Sequence, residues 1–393
     1  MTKAGNGNSI QGWNNNKVKQ QNKGLILSLI ARGLCTSRAE MARMSGLSKM
    51  TVTNIIAELI KEGIVIEEGY TENGAHVGRN PIGLDISPDA PKMIGILIRR
   101  NRCIVTLCDL KMNVICQEQH FWVDCSDDIL FRTVCVLIDQ VLEKEKNIIG
   151  IGVGVVGQPD SEKGMILSPI NFFGIHDYPI GEMLEEAYGV PVYVENQDAA
   201  AAIGETYYGI GREYQSFIFI GIGSGIGSGV VRNGKVEHNT RGIGSEAGHI
   251  SIDYKGEKCP CGNQGCMELY CGGRALEKEA FALTGEHVSV GEIFRRSSEP
   301  IFSKMLQDWL ERFAVGLTNV ANITNPEAII IGEEGFLIPD EMLEYLENRI
   351  NELKYVGDYY HCKVVHPGMR LETETIGCAA IVAEKMFLGE LLF

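Results

Sequence analysis

An α/β chain in three parts is expected from three features of the sequence: an uneven charge, a helix-turn-helix spacing near the N-terminus, and a strand–turn–strand pattern that occurs twice. The 393 residues carry a net charge of −15, yet residues 1–61 hold nine Lys and Arg against two Glu, which leaves −22 on residues 62–393. A basic head on an acidic body is the pattern of a nucleic-acid-binding module joined to a domain with another task. At this length more than one core is expected. No run of about 18 apolar residues is present, and GLILSLIARG is too short and too far from a cleavage-like site for a signal peptide. A cytoplasmic protein with no membrane insertion is therefore expected. Twelve cysteines in that setting read as free thiols plus a metal site rather than a disulfide framework.

Residues 1–22, rich in Asn, Gln, Gly and Lys, have little to bury and are expected to form a flexible arm, with order starting near Lys23. The head, residues 23–90, opens with LILSLIARG, apolar at helical spacing and closed by a glycine. In SRAEMARMSGLS, Ser37 and Glu40 give a capping-box signature for a short helix that Gly46 ends. After a turn of three or four residues, Ser48 caps a second helix in which Val52, Ile55, Ile56, Leu59 and Ile60 form the buried stripe. Lys49, Met50, Thr51, Thr53 and Asn54 are left near its exposed N-terminal end. Such side chains suit a major groove: the lysine for phosphate or guanine, the asparagine for adenine, the threonines for phosphate or a thymine methyl. Ser37, Arg38 and Ser48, at the two helix starts, complete this candidate DNA-binding set. A β-ribbon follows, IVIEEG and IGLDIS, and Arg79 between Gly78 and Pro81 is placed like a wing tip that reaches a minor groove. The partner implied is double-stranded operator DNA.

The body, residues 91–393, carries the repeat: MIGILIRRNRCIVTLCDLKMNVICQEQ from Met93, and SFIFIGIGSGIGSGVVRNGKVEHN from Ser216. Two related α/β lobes with a ligand cleft between them follow from it. The lobes are expected at about 91–205 and 206–393, with the C-terminal helix returning to the first. At the second copy's turn, glycines let backbone N–H groups approach a phosphate. A glycine string alone is weak evidence. At the first copy's turn stand Arg99, Arg100, Asn101 and Arg102, which can attract an anion but read as a solvated surface turn.

In EAGHISIDYKGEKCPCGNQGC, His249, Cys259, Cys261 and Cys266 supply one imidazole and three thiolates, a donor set for a closed, structural zinc site. Cys271 is a substitute ligand, though it reads as part of the following helix. Glu246 and Glu268 flank the knot and suit a polyhydroxylated ligand, the alternative being solvated carboxylates. VENQDAAAAIGE ends a strand and starts a helix, with Asp198 as an inviting carboxylate beside Asn196 and Gln197.

Taken together, GLSKMTVTNIIAELIKEGIV with GRNP, then GIGSGIGSGVV, EAGH and CPCGNQGCME, resemble the ROK family of repressors, open reading frames and kinases, over nearly the whole chain from about residue 20. The winged helix-turn-helix marks the repressor branch, similar to regulators of xylose, N-acetylglucosamine and glucose utilisation. The resemblance implies an actin-like, hexokinase-type body, a sugar or sugar derivative in the cleft, and a homodimer or homotetramer. It carries the family's sugar contacts onto Asn196 with Gln197, Glu246, His249 and Glu268, with Asn171 of SPINFFG nearby. His249 would then serve zinc and sugar through different ring nitrogens.

Three departures speak against a kinase. The family's first phosphate loop, Asp-Gly-Gly-Thr, falls on Ile98-Arg99-Arg100-Asn101. A later glycine pair reads Gly332-Glu333-Glu334. The catalytic aspartate falls on Gln197, whose amide cannot accept a hydroxyl proton but still hydrogen-bonds a sugar. A repressor of carbohydrate-utilisation genes without kinase activity is expected. The alternatives are an ATP-dependent sugar kinase in which Asp198 supplies the base, and control by a protein partner with no sugar bound.

Overall fold

The computed structural model describes residues 15–70, 82–169, 172–239, 242–355, 357 and 359–391. Two of the candidate site residues, Arg79 and Asn171, lie outside them. The chain packs as two units, a head that ends at Ala90 and includes residues from Ala383 on, and a body from Pro91 to Val382.

Among the described residues the head opens in helix α1 (Asn15–Ala31), so the chain is already helical before Lys23. Lys19 and Lys23 ion-pair with Glu58 (2.8 and 3.6 Å) and Lys23 also with Glu62 (2.6 Å), which ties this stretch down. Helices α2 (Arg38–Ser45) and α3 (Lys49–Lys61) enclose a three-residue turn that begins at Gly46, whose φ of 71° is the left-handed cap a glycine adopts freely. Val52, Ile55, Ile56 and Leu59 are buried. Strands β1 (Val65–Tyr70) and β2 (Ile82–Ile86) pair antiparallel as the ribbon.

In the body the sequence repeat becomes two five-stranded sheets of one topology. The first contains β3 (Lys92–Ile98), β4 (Arg102–Cys108), β5 (Val114–Phe121), β6 (Ile148–Val155) and β9 (Val192–Asn196). Their order is β5-β4-β3-β6-β9, antiparallel across the meander and then parallel. A short pair, β7 (Pro159–Asp160) and β8 (Met165–Ile166), lies between β6 and β9 in the chain. The second sheet contains β10 (Phe217–Ile222), β11 (Ile226–Arg232), β12 (Lys235–Val236), β13 (Ala328–Glu333) and β14 (Lys363–Val365), in the order β12-β11-β10-β13-β14 with the same directions. Strands β3, β10 and β13 are buried along their whole length, which is why they read as continuous apolar runs rather than alternating ones.

Helices α4 (Asp127–Leu142) and α5 (Ile180–Tyr188) pack on the first sheet through Leu130, Val134, Ile138, Ile180 and Leu184. The second sheet is covered by α10 (Pro300–Thr324) and α11 (Asp340–Leu353), with Trp309, Phe313 and Leu346 fully or nearly fully buried. Shorter helices α7 (Glu268–Cys271), α8 (Gly273–Thr284) and α9 (Val290–Arg295) precede them.

Two helices fill the middle of the body. Helix α6 (Gln197–Tyr207) lays Ala201 and Ala202 against Phe217, Phe219 and Val231 of the second sheet. Helix α12 (Thr373–Phe387) crosses the first sheet, and its Gly377 sits on the backbone of Ala200. The alanine run of α6 thus reflects close approach on two sides, where larger side chains would not fit. The parallel strands β6 and β9 end at Val155 and Asn196, and β10 and β13 at Ile222 and Glu333. Those C-terminal strand ends are where an open α/β sheet presents its ligand crevice. Among the described residues no helix is long and apolar enough to cross a membrane.

A Cβ added at Gly152 would lie 1.9 Å from the backbone oxygen of Cys378 on α12. Gly152→Val is therefore expected to destabilise the body by about 3 kcal/mol or more, read as a drop in its thermal unfolding midpoint.

Candidate functional site

A cavity of about 810 Å³ opens at these strand ends, and Asn196, Gln197, Glu246, His249 and Glu268 all line it. The structure thus gathers every described residue of the sugar-contact set at one cleft. Asn196 has a structural task as well: its Oδ1 accepts from the N–H groups of Asp198 and Ala199 (2.9 and 3.2 Å), capping α6, and its Nδ2 donates to the Gly157 carbonyl (2.7 Å). Gln197 Nε2 donates to Glu333 Oε1 at 2.8 Å, while its buried Oε1 has no protein partner. Glu246 accepts from Gln158 Nε2 (2.7 Å), and Gln158 Oε1 accepts from the N–H of Gly244. Glu268 Oε2 accepts from the N–H of Ile226 at 3.0 Å.

Behind Gln197 lies a cluster of charge. Arg99 Nη2 is 2.7 Å from Glu333 Oε1 and 3.8 Å from Glu374 Oε2, with its side chain only 19% exposed. The arginine turn is therefore not the solvated surface turn its composition suggested; three carboxylates draw Arg99 inward. Burial would lower its pKa, but Glu333, Glu374 and Asp198 together raise it. Glu333 itself adopts φ 55° and ψ −135°, an uncommon backbone for a residue with a side chain, at a cost of about 1–3 kcal/mol. Its N–H is held by Glu374 Oε1 at 3.0 Å.

Asp198 is 2% exposed, and its carboxylate lies against the β10–β11 hairpin. A Cβ at Gly221 or Gly227 would come within 2.0 or 1.8 Å of its two oxygens. Burial, reinforced by Glu333 and Glu374, pushes its pKa up. A base that takes a hydroxyl proton must be both ionised and in reach of that proton. Asp198 lines the cavity, but its oxygens are turned onto this hairpin.

His249, Cys259, Cys261 and Cys266 converge, with their donor atoms all within 4.8 Å of one another. Cys259 Sγ is 3.6 Å from His249 Nδ1, and Cys261 Sγ is 3.7 Å from Cys266 Sγ. A tetrahedral ion with sulfur bonds of about 2.3 Å and a nitrogen bond of about 2.0–2.1 Å needs N···S and S···S edges of about 3.6 and 3.8 Å. The four residues fit such an ion. Gly262 (φ 96°) and Gly265 (φ 67°) make the turns that return Cys266 to His249. Cys271 stands apart from the set, buried on α7.

In the head, several predicted DNA contacts also hold the local fold. Ser37 Oγ accepts from the N–H of Glu40, and Ser48 Oγ from that of Thr51, so both serines cap helices. Arg38 pairs with Glu67 of β1 at 2.6 Å, and Thr53 Oγ1 donates to the Lys49 carbonyl. Lys49 is exposed, as are Met50 and Asn54. Thr51 and Asn54 border a depression of about 340 Å³ shared with Lys19 and Asn22 of α1.

Sequence reasoning missed Gln158 and Glu374. Gln158 had a usable signal, since it follows Gly157 in the turn just after β6; Glu374 had none, because the chain brings it back from 41 residues beyond Glu333. The Glu374 carboxyl is pushed up to about 7 by burial, with Arg99 opposing and Glu333 adding to the rise. The folded state thus holds this proton more tightly than the unfolded chain. That contribution is complete below the ordinary value of 4.5 and is lost as pH rises through about 7. The thermal midpoint of the body is expected to fall between pH 5 and 7.5, as judged from melts across that range, and Glu374→Gln is expected to flatten the dependence.

Residues 93–385 match the model of the ROK family, and residues 20–66 match that of a winged helix-turn-helix DNA-binding domain. The xylose repressor of Bacillus subtilis is 31% identical over 80% of this chain and 82% of its own. A crystal structure of a ROK family transcriptional regulator, homologous to an Escherichia coli protein named MLC, superposes with a TM-score of 0.81 at 24% identity, over 95% of this chain and 98% of the other. The ROK hexokinase of Thermus thermophilus superposes with a TM-score of 0.63 at 24% identity, over 74% of this chain and 97% of its own. The ROK match spans well over half of the chain, and the chain belongs to the ROK family.

Proposed function

We infer that this chain is a DNA-binding transcriptional repressor of carbohydrate-utilisation genes, controlled by a sugar or related small molecule in the cleft and without kinase activity. The observation that carries this reading is Gln197. It lines the cleft where a proton acceptor would be needed, and its Nε2 is engaged by Glu333. An amide there supports ligand binding and leaves phosphoryl transfer without its base. The name of the Bacillus subtilis relative supports the sugar class.

Asn196, Gln197, Glu246, His249 and Glu268 are the residues proposed to hold the ligand, with Asn171 as a further member outside the described residues. Zinc is the ion proposed for His249, Cys259, Cys261 and Cys266, since three thiolates and an imidazole fill a tetrahedron and leave no open position. When bound it would brace the loop that carries Glu246 and precedes Glu268. His249 Nδ1 faces Cys259, which leaves Nε2 for the ligand. The full chain is expected to contain one zinc, and Cys261→Ser to lose both metal and sugar binding, as measured by metal analysis and calorimetry.

On the DNA side, Lys49, Thr51, Thr53 and Asn54 are proposed to enter a major groove, Ser37, Arg38 and Ser48 to meet the backbone, and Arg79 to act from the ribbon. A homodimer or homotetramer would place two heads on half-sites about one helical turn apart. Lys49→Ala is expected to weaken operator binding and to reduce the salt slope by about 1, read by fluorescence anisotropy at several salt concentrations. Unchanged affinity and slope would remove Lys49 from the interface.

A further inference from the structure

We propose that the glycine turn at Gly223 and the guanidinium of Arg99 form an anion seat that the chain fills with its own Glu333 carboxylate, and that this contact clasps the two lobes together. The proposal rests on the reading of the cleft as a binding site rather than a phosphoryl-transfer site.

The seat is assembled from both sheets. Arg99 follows β3 of the first, whereas Gly223 follows β10 and Glu333 ends β13, both of the second. Glu333 uses both carboxylate oxygens there. Its Oε1 accepts from Arg99 Nη2 at 2.7 Å and from Gln197 Nε2 at 2.8 Å. Its Oε2 lies against Gly223, where an added Cβ would come within 1.9 Å of it. Only a glycine leaves room for an anionic oxygen so close to the chain.

The same turn holds a second internal carboxylate. Glu268 Oε2 accepts the Ile226 N–H and would lie 2.1 Å from a Cβ at Gly225. A turn chemically suited to a phosphate is thus already supplied with anions from within. Arg100 Nη1 donates to Ser224 Oγ at 3.3 Å, a second tie between the same two turns. Glu333 keeps this position despite its φ of 55°, a conformation that glycine would adopt without strain. Its side chain is 4% exposed, and its N–H is anchored by Glu374. An arginine held on one side and a backbone anchor on the other account for a glutamate at a position where the backbone favours glycine.

The clasp gives Glu333 a positioning role for the ligand, because the same oxygen that meets Arg99 also orients Gln197. Closure of the lobes and placement of a cleft amide are therefore set by one carboxylate. No exogenous phosphate group is needed for either.

The test uses the full chain with pyrophosphate as the probe. Wild type is expected to show no calorimetric binding at millimolar pyrophosphate, Glu333→Gly to gain at least tenfold in affinity, and the Arg99→Gln/Glu333→Gly double variant to lose that gain. Glu333→Gln, which keeps the volume, is expected to speed amide hydrogen exchange at residues 98–102 and 222–226 at least tenfold without ligand, while exchange in α4 stays unchanged. A general loss of stability would speed α4 as well and would count against the clasp. Pyrophosphate binding to wild type as tight as to Glu333→Gly, or unaltered exchange in Glu333→Gln, would overturn the proposal. A sugar panel titrated into wild type tests the effector reading separately, since none of these outcomes requires a sugar to bind.

Discussion

A guanidinium enclosed by three buried carboxylates sets the character of the body. Arg99 has Glu333 at 2.7 Å and Glu374 at 3.8 Å, and it feels the charge of Asp198. Arg99 touches these acids while Arg100 and Arg102 act on them at longer range, in a place of low dielectric where unpaired charge is costly. Burial, reinforced by the neighbouring acids, pushes Glu374 and Asp198 upward. Breaking such a group by removing one partner is more damaging than its net contribution to stability would indicate. The cluster spans a strand end of each sheet and the final helix, so the geometry of the cleft is inherited from it.

The cleft chemistry follows. Gln197 is oriented by Glu333, Asn196 is fixed as a helix cap, and Glu246 is steadied by Gln158. These are hydrogen-bonding groups held in place before any ligand arrives, which lowers the ordering cost of binding. Gln197 offers an amide there, which hydrogen-bonds but cannot accept a hydroxyl proton. Asp198 lines the same cavity, with its oxygens against two glycines of a hairpin and its pKa pushed up by burial. Donors and acceptors for a polyhydroxylated molecule remain while base chemistry does not, and this division separates a sensor from an enzyme built on the same sheets.

Features carried by contiguous residues were legible in the sequence. The capped helices at Ser37 and Ser48, the glycine at 46 and the His/Cys spacing each depend on short-range geometry, and the structure realises each. The repeated meander was legible because its hydrophobic runs and turns repeat in order. The alanine run at 199–202 could not be explained locally, since its cause is the approach of Gly377 and of the second sheet. The role of Arg99 was hidden for the same reason: its partner is 234 residues away, and composition alone describes an arginine turn as solvated. Helix before Lys23 was likewise hidden, since Lys19 and Lys23 ion-pair with Glu58 and Glu62 of α3 and local polarity does not reveal this.

The most direct test of ligand control is the affinity of the full chain for promoter DNA, measured by fluorescence anisotropy with and without a saturating sugar whose binding calorimetry has established. A coupling of about 1–3 kcal/mol is expected, a change in operator affinity of roughly 5- to 150-fold that Gln197→Ala abolishes. Identical operator affinity with the cleft empty and filled would contradict the reading of the body as a sugar sensor.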